Sequence, residues 1–465
     1  MNEPVSSSRY VAETTLPAAI NDAFAYHERR GCLQRLVPPW ESVVVEHSDD
    51  SLEPGSRVVL KTRLAGLPLR WHALHTELQR PRLFADVQES GPFAHWSHQH
   101  RFEAVDSERA TLRDEVTYQV PLGPIGRIFG GGIARRTLEA MFAYRHRVTF
   151  DDLHLQTAVK LQPQTIAVSG ASGLVGECLC SLLTLLGHRV FRITRGQVGS
   201  KCEIAAWGQS DERDKLESVD TVVHLAGKSI ASGRWNSSVK DEIRSSRVEL
   251  TRQLCETIAN CQKRPATLIC ASATGIYGDR GDESLTEDSA ISDDFLASVA
   301  AEWEAACQPA RDAGVRVVNA RFGIVISPAG GALQKMLLPA KLFGGALGNG
   351  KQYWSWIGLD DVVGGIVHAI ATESLTGPVN FVAPNPITNR QVAVDLASVL
   401  RRKAIFPAPA LALRIALGEM ADALLLSSTK VLPEKLIDSG YQFRFTELKS
   451  LLRYCLGRER LESVA

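Results

Sequence analysis

The chain has no excess charge of either sign: 52 Lys plus Arg balance 52 Asp plus Glu over 465 residues. A neutral balance gives no electrostatic reason for a nucleic-acid partner or an anionic membrane surface. Long apolar runs are also missing. The nearest approach, Leu411 to Leu426, is interrupted by Arg414, Glu419 and Asp422, so it reads as a buried amphipathic helix and not as a membrane segment. Residues 1–16 lack the apolar stretch of a secretory signal, and the expectation is a cytosolic protein. None of the nine cysteines forms a Cys-x-x-Cys pair. That argues against a structural zinc site and for reduced, mostly buried thiols. Internal repeats and low-complexity tracts are lacking too, and the length predicts two or three globular domains.

What is present is a phosphate-binding signature far from the start of the chain. Thr165-Ile-Ala-Val-Ser runs into Gly170-Ala171-Ser172-Gly173-Leu174-Val175-Gly176. An apolar strand meets three glycines and then a helix. Gly170 permits the tight turn, Gly173 lets the backbone approach a pyrophosphate, and Gly176 lets the helix pack on the strand. The helix N-terminus adds free N–H groups and a partial positive charge. Strands predicted at Ile166–Ser169, Arg189–Thr194, Glu203–Trp207, Thr221–Leu225, Thr267–Ala271 and Val315–Ala320 alternate with helices at Leu174–Leu186, Ser238–Cys261 and Phe295–Ala313. That alternation predicts an α/β, doubly wound Rossmann domain with a parallel sheet over 165–388. At the end of its second strand, Thr194-Arg195-Gly196 stands where NAD enzymes place an acid. Arg195 suits a 2′-phosphate, so the expected cofactor is NADP in preference to NAD. His224, at the end of the fourth strand, reads as structural; the Leu225-Ala226-Gly227 that follows it resembles the turn that runs beside the cofactor ribose in the extended short-chain reductases.

Residues 1–154 read as α+β. A helix over Pro17–Arg30 precedes strands at Arg57–Arg63, Leu69–Leu78, Leu83–Val87, His95–Phe102 and Thr111–Val120. The turn-rich Pro121-Leu-Gly-Pro-Ile-Gly126 and a long helix over about Ile133–Phe150 follow, and the polar stretch Leu155–Gln164 with Pro163 reads as a linker. This order and the Pro-Leu-Gly-Pro-Ile-Gly lead-in resemble the helix-grip fold of START-like proteins (the SRPBCC group of polyketide cyclases and lipid-transfer proteins). The resemblance implies a curved sheet wrapping the last helix around an apolar cavity, lined or flanked by Trp71, Phe84, Trp96 and Phe102. In His95-Trp-Ser-His-Gln-His100, Trp96, His98 and His100 share a face. With no acid or cysteine at matching spacing, the expectation is that no metal is bound.

From Thr165 to about Leu452 the chain resembles the atypical extended short-chain dehydrogenase/reductases of the epimerase family, a group that carries its own small C-terminal domain. The motifs are Leu225-Ala-Gly-Lys-Ser-Ile-Ala-Ser-Gly-Arg-Trp235, Ala271-Ser-Ala-Thr-Gly-Ile-Tyr-Gly-Asp279, Arg321-Phe-Gly-Ile-Val-Ile326, Gly348-Asn-Gly-Lys-Gln-Tyr353, Trp356-Ile-Gly-Leu-Asp-Asp361, Leu417-Gly-Glu-Met420 and Val431-Leu-Pro433. The resemblance implies a helical appendage over 389–465, with helix Gln391–Arg402 and a Pro-rich turn at 406–410, and a nicotinamide pocket near Arg321 and Gly323. Gly358 departs from the group, which has His there.

The catalytic set of this family is missing. Ala273 stands four residues before Tyr277, where a Ser or Thr is required. Phe295 and Val299 occupy the Tyr-x-x-x-Lys spacing. Ser272, Thr274 and Tyr277 are the candidate substitutes. Glu302 and Glu304 read as a solvated helix face, Asp360 and Asp361 as helix-capping acids. Tyr353, Trp354 and Trp356 sit in a Gly-rich loop that suits either closure over a substrate or surface packing, and Arg234-Trp235 is placed across the same cleft. The sequence thus predicts an NADP-binding oxidoreductase or epimerase acting on a small or lipophilic molecule. Its rival is an NADP(H)-responsive binding protein without turnover.

Overall fold

The computed structural model describes residues 7–459 apart from 65, 196–198, 201, 206–211 and 232. It divides into two compact units. The first holds the chain up to Lys160, with Thr184–Gly187 and the chain from Arg453; the second holds Leu161–Leu183 and His188–Leu452.

The first unit is a seven-stranded antiparallel sheet of β1 (Ser8–Leu16), β2 (Val44–Ser48), β3 (Arg57–Leu64), β4 (Leu67–Gln79), β5 (Leu83–Ser90), β6 (His95–Ala104) and β7 (Ala110–Gln119). The strand order is β1-β7-β6-β5-β4-β3-β2. Helices α1 (Ile20–Glu28), α2 (Cys32–Leu36) and α3 (Gly123–Val159) complete it. β7 alternates strictly: Ala110, Leu112, Asp114, Val116 and Tyr118 are buried and their neighbours are not, the pattern of a sheet with one covered face. Trp96, Val116, Tyr118, Leu138 and Phe142 form one apolar cluster with Tyr10, and Trp71 packs against it. Trp71 and Trp96 meet edge to face at 4.9 Å. β1, α2 and β2 were not foreseen.

α3 is twice as long as its sequence pattern suggests. It begins inside the Pro-Leu-Gly-Pro-Ile-Gly segment, because a proline in the first turn forgoes only an N–H that has no helical partner. It also continues through the expected linker to Val159. Just before that segment lies a buried tertiary contact: the Asp152 carboxylate receives Arg35 Nε at 2.9 Å, Arg35 Nη2 at 2.8 Å and the Tyr26 hydroxyl at 2.9 Å. A break at 154 therefore does not coincide with the end of this helix.

The second unit contains a parallel sheet of β8 (Thr165–Ser169), β9 (Arg189–Thr194), β10 (Glu203–Ala205), β11 (Thr221–His224), β12 (Thr267–Ala273), β13 (Arg316–Phe322) and β14 (Gly377–Phe381), in the order β10-β9-β8-β11-β12-β13-β14. The order reverses at β8, which is the topological switch point of a doubly wound sheet. β8, β11 and β12 are buried nearly throughout, as strands covered by helices on both faces must be. The helices used below are α4 (Leu174–Leu185), α5 (Ser237–Ala259), α6 (Phe295–Ala305) and α7 (Leu359–Ala371).

Three details depart from expectation. The helix read as Phe295–Ala313 breaks after Ala305 and resumes at Gln308 with Pro309 in its first turn. The Pro-rich turn at 406–410 supplies a strand, Phe406–Ala408, paired with Gly344–Leu347. The stretch 411–426 is not one helix and is buried only at Met420 and Ala421: helix Ala410–Leu417 ends at Gly418 with φ +63° and has no buried residue.

The three glycines of the first turn respond differently to a side chain. A Cβ on Gly176 would lie 2.2 Å from the Gly170 carbonyl oxygen, whereas one on Gly173 would lie 3.2 Å from that oxygen with nothing else near. Gly176→Ala should therefore force α4 off β8 and destabilise by about 1–3 kcal/mol, as overpacking does. Gly173→Ala should leave the urea unfolding midpoint close to that of the parent chain, and comparing the two midpoints checks the assignment.

Candidate functional site

The cradle at the switch point is made of backbone. Gly170 has φ +67°, and a Cβ there would come within 2.8 Å of the Leu225 backbone and 2.9 Å of the Ala226 nitrogen. The turn after β8 and the turn after β11 are thus pressed together, and only glycine permits it. Ala171 is buried and Ser172 and Gly173 are exposed at the mouth. Leu174, Val175 and Gly176 form the first turn of α4, whose N–H groups have no helical acceptor. The geometry fits a dinucleotide pyrophosphate: open space above Gly173 and unpaired donors beneath it. At the end of β9, Thr194 Oγ1 is buried without a hydrogen-bond partner among the described residues, and the next residue, Arg195, is exposed. Gly196 lies outside the described residues.

His224 locks this cradle from behind. Its Nδ1 lies 2.6 Å from Ser169 Oγ and its Nε2 2.9 Å from Thr251 Oγ1, which also receives Trp303 Nε1 at 2.9 Å. Burial pushes the imidazole down to about 4. A neutral ring with both nitrogens engaged matches the structural reading.

Beside the cradle is a cleft of about 760 Å³. Val175 and Leu225 reach it from the cofactor side. Ala273, Phe295 and Val299, the three positions of the missing catalytic set, all line it. Phe295 meets Trp235 edge to face at 5.4 Å. Tyr353 and Trp354 form another part of the wall, held by pairing with Ile387 and Thr388. Trp356 is core, with its Nε1 on the Asn385 carbonyl at 2.9 Å. The aromatic loop is thus divided between wall and core. Arg247 also lines the cleft; its guanidinium donates to the Lys228 and Ile243 carbonyls, and burial pushes it down to about 10. Nothing in the sequence marks it, because an arginine in mid-helix looks solvated.

The three candidate substitutes part company. Ser272 Oγ donates to Glu304 Oε1 at 2.7 Å. The Tyr277 hydroxyl donates to Asn380 Oδ1 and receives Arg321 Nη1, each at 2.8 Å. That side chain is fully buried, and burial raises its pKa despite the adjacent guanidinium. Ser272 and Thr274 both line the cleft, but Ser272 is buried with its hydroxyl spent on a carboxylate, whereas Thr274 is half-buried and its hydroxyl donates to the Phe322 carbonyl at 3.3 Å, which leaves Thr274 the more accessible oxygen.

Two expectations are corrected by the same ion pair. Glu304 is not a solvated acid: its carboxylate takes Arg321 Nε at 2.8 Å and Nη2 at 2.9 Å, with side chains 13% and 5% exposed. Burial opposes the Arg321 charge, yet Glu304 holds it above its ordinary value. Arg321 is consequently a pillar behind the cleft and not a lining residue. Glu302 pairs with the half-exposed Arg244. Asp361 does not cap its own helix either. It lies in the first turn of α7, but its carboxylate accepts Tyr441 Oη, Arg444 N and Phe445 N at 2.7–3.2 Å. Burial raises its pKa to about 7 against these donors. Gly358 precedes it; a Cβ there would lie 3.1 Å from Leu451.

The first unit holds a second constellation. Asp114 gathers three imidazoles: His98 Nε2 at 3.0 Å and His100 Nδ1 at 2.5 Å on Oδ1, and His146 Nε2 at 2.5 Å on Oδ2. Asp86 Oδ2 lies 3.4 Å from His98 Nδ1. The acids come from neighbouring strands, β5 and β7, so spacing along β6 could not reveal them. Burial works against a charge on His98, but its two carboxylate neighbours raise it to about 9; burial and that cation push His100 down to about 3.

Glu304→Gln should leave the Arg321 guanidinium buried and uncompensated, a change that costs about 3–5 kcal/mol. A large fall in thermal midpoint with Glu302→Gln almost unchanged is the expected pair of results.

Comparison with known proteins adds three matches along the chain. Residues 166–382 match the NAD dependent epimerase/dehydratase family, 16–142 the polyketide cyclase / dehydrase and lipid transport family, and 408–455 a domain of unknown function. An epimerase family protein of Mycobacterium bovis is 38% identical over 296 residues, covering 63% of this chain and 98% of the relative. One of Bacillus subtilis is 38% identical over 294 residues, covering 62% and 96%. Among solved structures, a nucleoside-diphosphate sugar epimerase from Corynebacterium glutamicum superposes with a TM-score of 0.81 at 31% identity, covering 98% of this chain and 91% of that one. A human epimerase family protein crystallised with NADPH gives a TM-score of 0.58 at 31% identity, covering 63% and 99%.

Proposed function

This chain belongs to the epimerase family of short-chain dehydrogenase/reductases, and from that premise we propose that it binds NADP(H) at the β8–α4 turn and acts as an oxidoreductase or epimerase on a small, largely apolar molecule. The observation that supports it most directly is the glycine cradle: backbone contacts at Gly170 and Gly176 that leave no room for a Cβ, beside open space at Gly173. The human relative's NADPH agrees with the choice of nucleotide. Gly170, Ala171, Ser172, Gly173, Leu174, Val175 and Gly176 would hold the pyrophosphate, Arg195 the 2′-phosphate, and Leu225, Ala226 and Gly227 the ribose side. When bound, the nucleotide supplies or accepts a hydride. Phe295, Val299 and Trp354 exclude water, and the Thr274 oxygen positions the substrate. Arg321, first assigned to the cofactor, here holds Glu304 and Tyr277 behind the wall. The modules of the proposal are 1–154, 165–388 and 389–465, the first with an apolar ligand of its own.

A second reading, an NADP(H)-responsive protein without turnover, is favoured by one observation: Ala273, Phe295 and Val299 leave no proton-transfer group at the positions where the family uses Ser or Thr, Tyr and Lys. The two readings share the cofactor site and separate at Thr274.

Calorimetric titration tests the site. NADPH should bind more tightly than NADH. Arg195→Ala should remove about 1.5–3 kcal/mol from NADPH binding, the worth of hydrogen bonds to a charged group, and leave NADH unaffected. Equal losses would sink the 2′-phosphate assignment. Gly173→Val should bind neither nucleotide while remaining folded. In a screen of NADPH oxidation, Thr274→Val should lose turnover at unchanged NADPH affinity. Absence of any oxidised or reduced substrate across the screen would leave the second reading standing.

A further inference from the structure

We propose that the first unit carries a metal site for one divalent transition cation, with Asp86, His98 and His100 as ligands and Asp114 as the carboxylate that orients the His98 imidazole. This is independent of the dinucleotide reading.

Sheet register brings the groups together. Asp86 on β5 stands directly opposite His98 on β6, and His100 on β6 directly opposite Asp114 on β7. His98 and His100 point to one face because they are two residues apart on a strand, and their ring centroids are 3.9 Å apart. One potential ligand atom from each of Asp86, His98 and His100 lies within 4.8 Å of the other two. A cation with bonds of about 2.0–2.2 Å sets tetrahedral ligands about 3.3–3.6 Å apart, so side-chain rotation has to close the widest pair by up to about 1.4 Å.

Hydrogen bonding says which atoms are free to ligate. His98 Nε2 is committed to Asp114 at 3.0 Å. The remaining nitrogen, Nδ1, faces the Asp86 carboxylate at 3.4 Å; in the metal-free chain a proton lies between them, and a divalent cation would take that proton's place. Two acceptors facing each other in a buried site need a positive group between them. The proton serves those two atoms alone, whereas a cation also uses His100. His100 Nδ1 lies close to Asp114 but outside hydrogen-bond alignment, and its ring is fixed by stacking on Phe84 at 4.0 Å. Asp114, bridging to His98 and to His146 on α3, has the place of the outer carboxylate in carboxylate–histidine–metal triads. His75, opposite Asp86 on β4, has a buried Nδ1 without a hydrogen-bond partner among the described residues and flanks the set from the far side. Two imidazoles and a carboxylate select a first-row transition ion over Mg²⁺ or Ca²⁺, which prefer oxygen alone. Arg145 is the cation that faces this group from α3; its charge is opposed by burial and supported by Asp114 and Asp86, and it will weaken the site without filling it.

The test uses the full chain, freed of any tag and of metal by chelator, and titrated with Co²⁺. The expected result is saturation at one equivalent with visible d–d absorption, displaced by Zn²⁺, and a thermal midpoint raised by either ion. Asp86→Ala combined with His100→Ala should abolish the absorption, with the near-ultraviolet circular dichroism and the cooperative thermal transition of the variant as the check on folding. Asp114→Asn should weaken Co²⁺ by about 10–100-fold, as outer-carboxylate changes do. No cobalt spectrum in the parent chain overturns the proposal without recourse to any variant. Undiminished binding in the double variant overturns it equally, by placing the metal elsewhere.

Discussion

The second unit is organised around one buried ion pair. Arg321 projects from β13 into α6, where Glu304 receives it through two nitrogens. The same carboxylate fixes Ser272 on β12, and the same guanidinium fixes the Tyr277 hydroxyl and the Glu287 carbonyl. Tyr277 passes the constraint to Asn380 on β14, and Asn380 passes it to the Leu432 carbonyl. Three strands, the helix that walls the cleft and the segment beyond residue 430 are thereby set in one register. A buried pair of this kind adds little net stability, because desolvation offsets the Coulomb gain. What it confers is a penalty on every arrangement that separates its members, and the wall formed by Ala273, Phe295 and Val299 depends on that penalty.

That wall changes what the cleft can do. In the family pattern the helix carrying Glu304 also carries a tyrosine and a lysine that hold the reacting proton. Here the same faces are apolar, and the charges that remain on α6 point into the Arg321 network or toward Arg244. An apolar wall raises the cost of leaving any polar substrate atom unpaired. Under the proposed function this side of the cleft would suit the less polar part of a substrate, with the charged groups of the lining, Arg247 and Asp279 among them, left for its polar atoms.

The fold was largely legible because its signals are local. A strand running into Gly170, Gly173 and Gly176 announces itself within twelve residues, and alternation along β7 does the same for the first unit. The failures share one cause. By sequence Glu304 reads as solvated and Asp361 as a cap, and neither Asp152 nor Asp114 carries any signal. Each is a carboxylate whose donors lie tens to more than a hundred residues away: Arg321, Arg35 with Tyr26, Tyr441 with Arg444, and three histidines of which one is on α3. A polar residue in a sequence carries no mark of its distant partner, and burial of an acid is invisible until that partner is placed. α3 was cut short at Phe150 for this reason, since its last turns are held by Asp152.

These four acids perform one physical task at different places. Each gathers several donors from separate elements around a single buried negative charge, and each fails if one donor leaves, because the remainder must then be desolvated for less return. They differ in how the charge is balanced. Asp152 and Glu304 are met by a bidentate arginine, which cannot give up its proton and makes the joint permanent. Asp361 has backbone N–H groups and a tyrosine hydroxyl, neutral donors that leave its pKa raised to about 7 by burial. Asp114 is met by imidazoles, the one set among the four that can exchange a proton for a metal ion. The joints built on arginine are therefore fixed parts of the scaffold, and the joint built on histidine is where the first unit has chemistry still to spend.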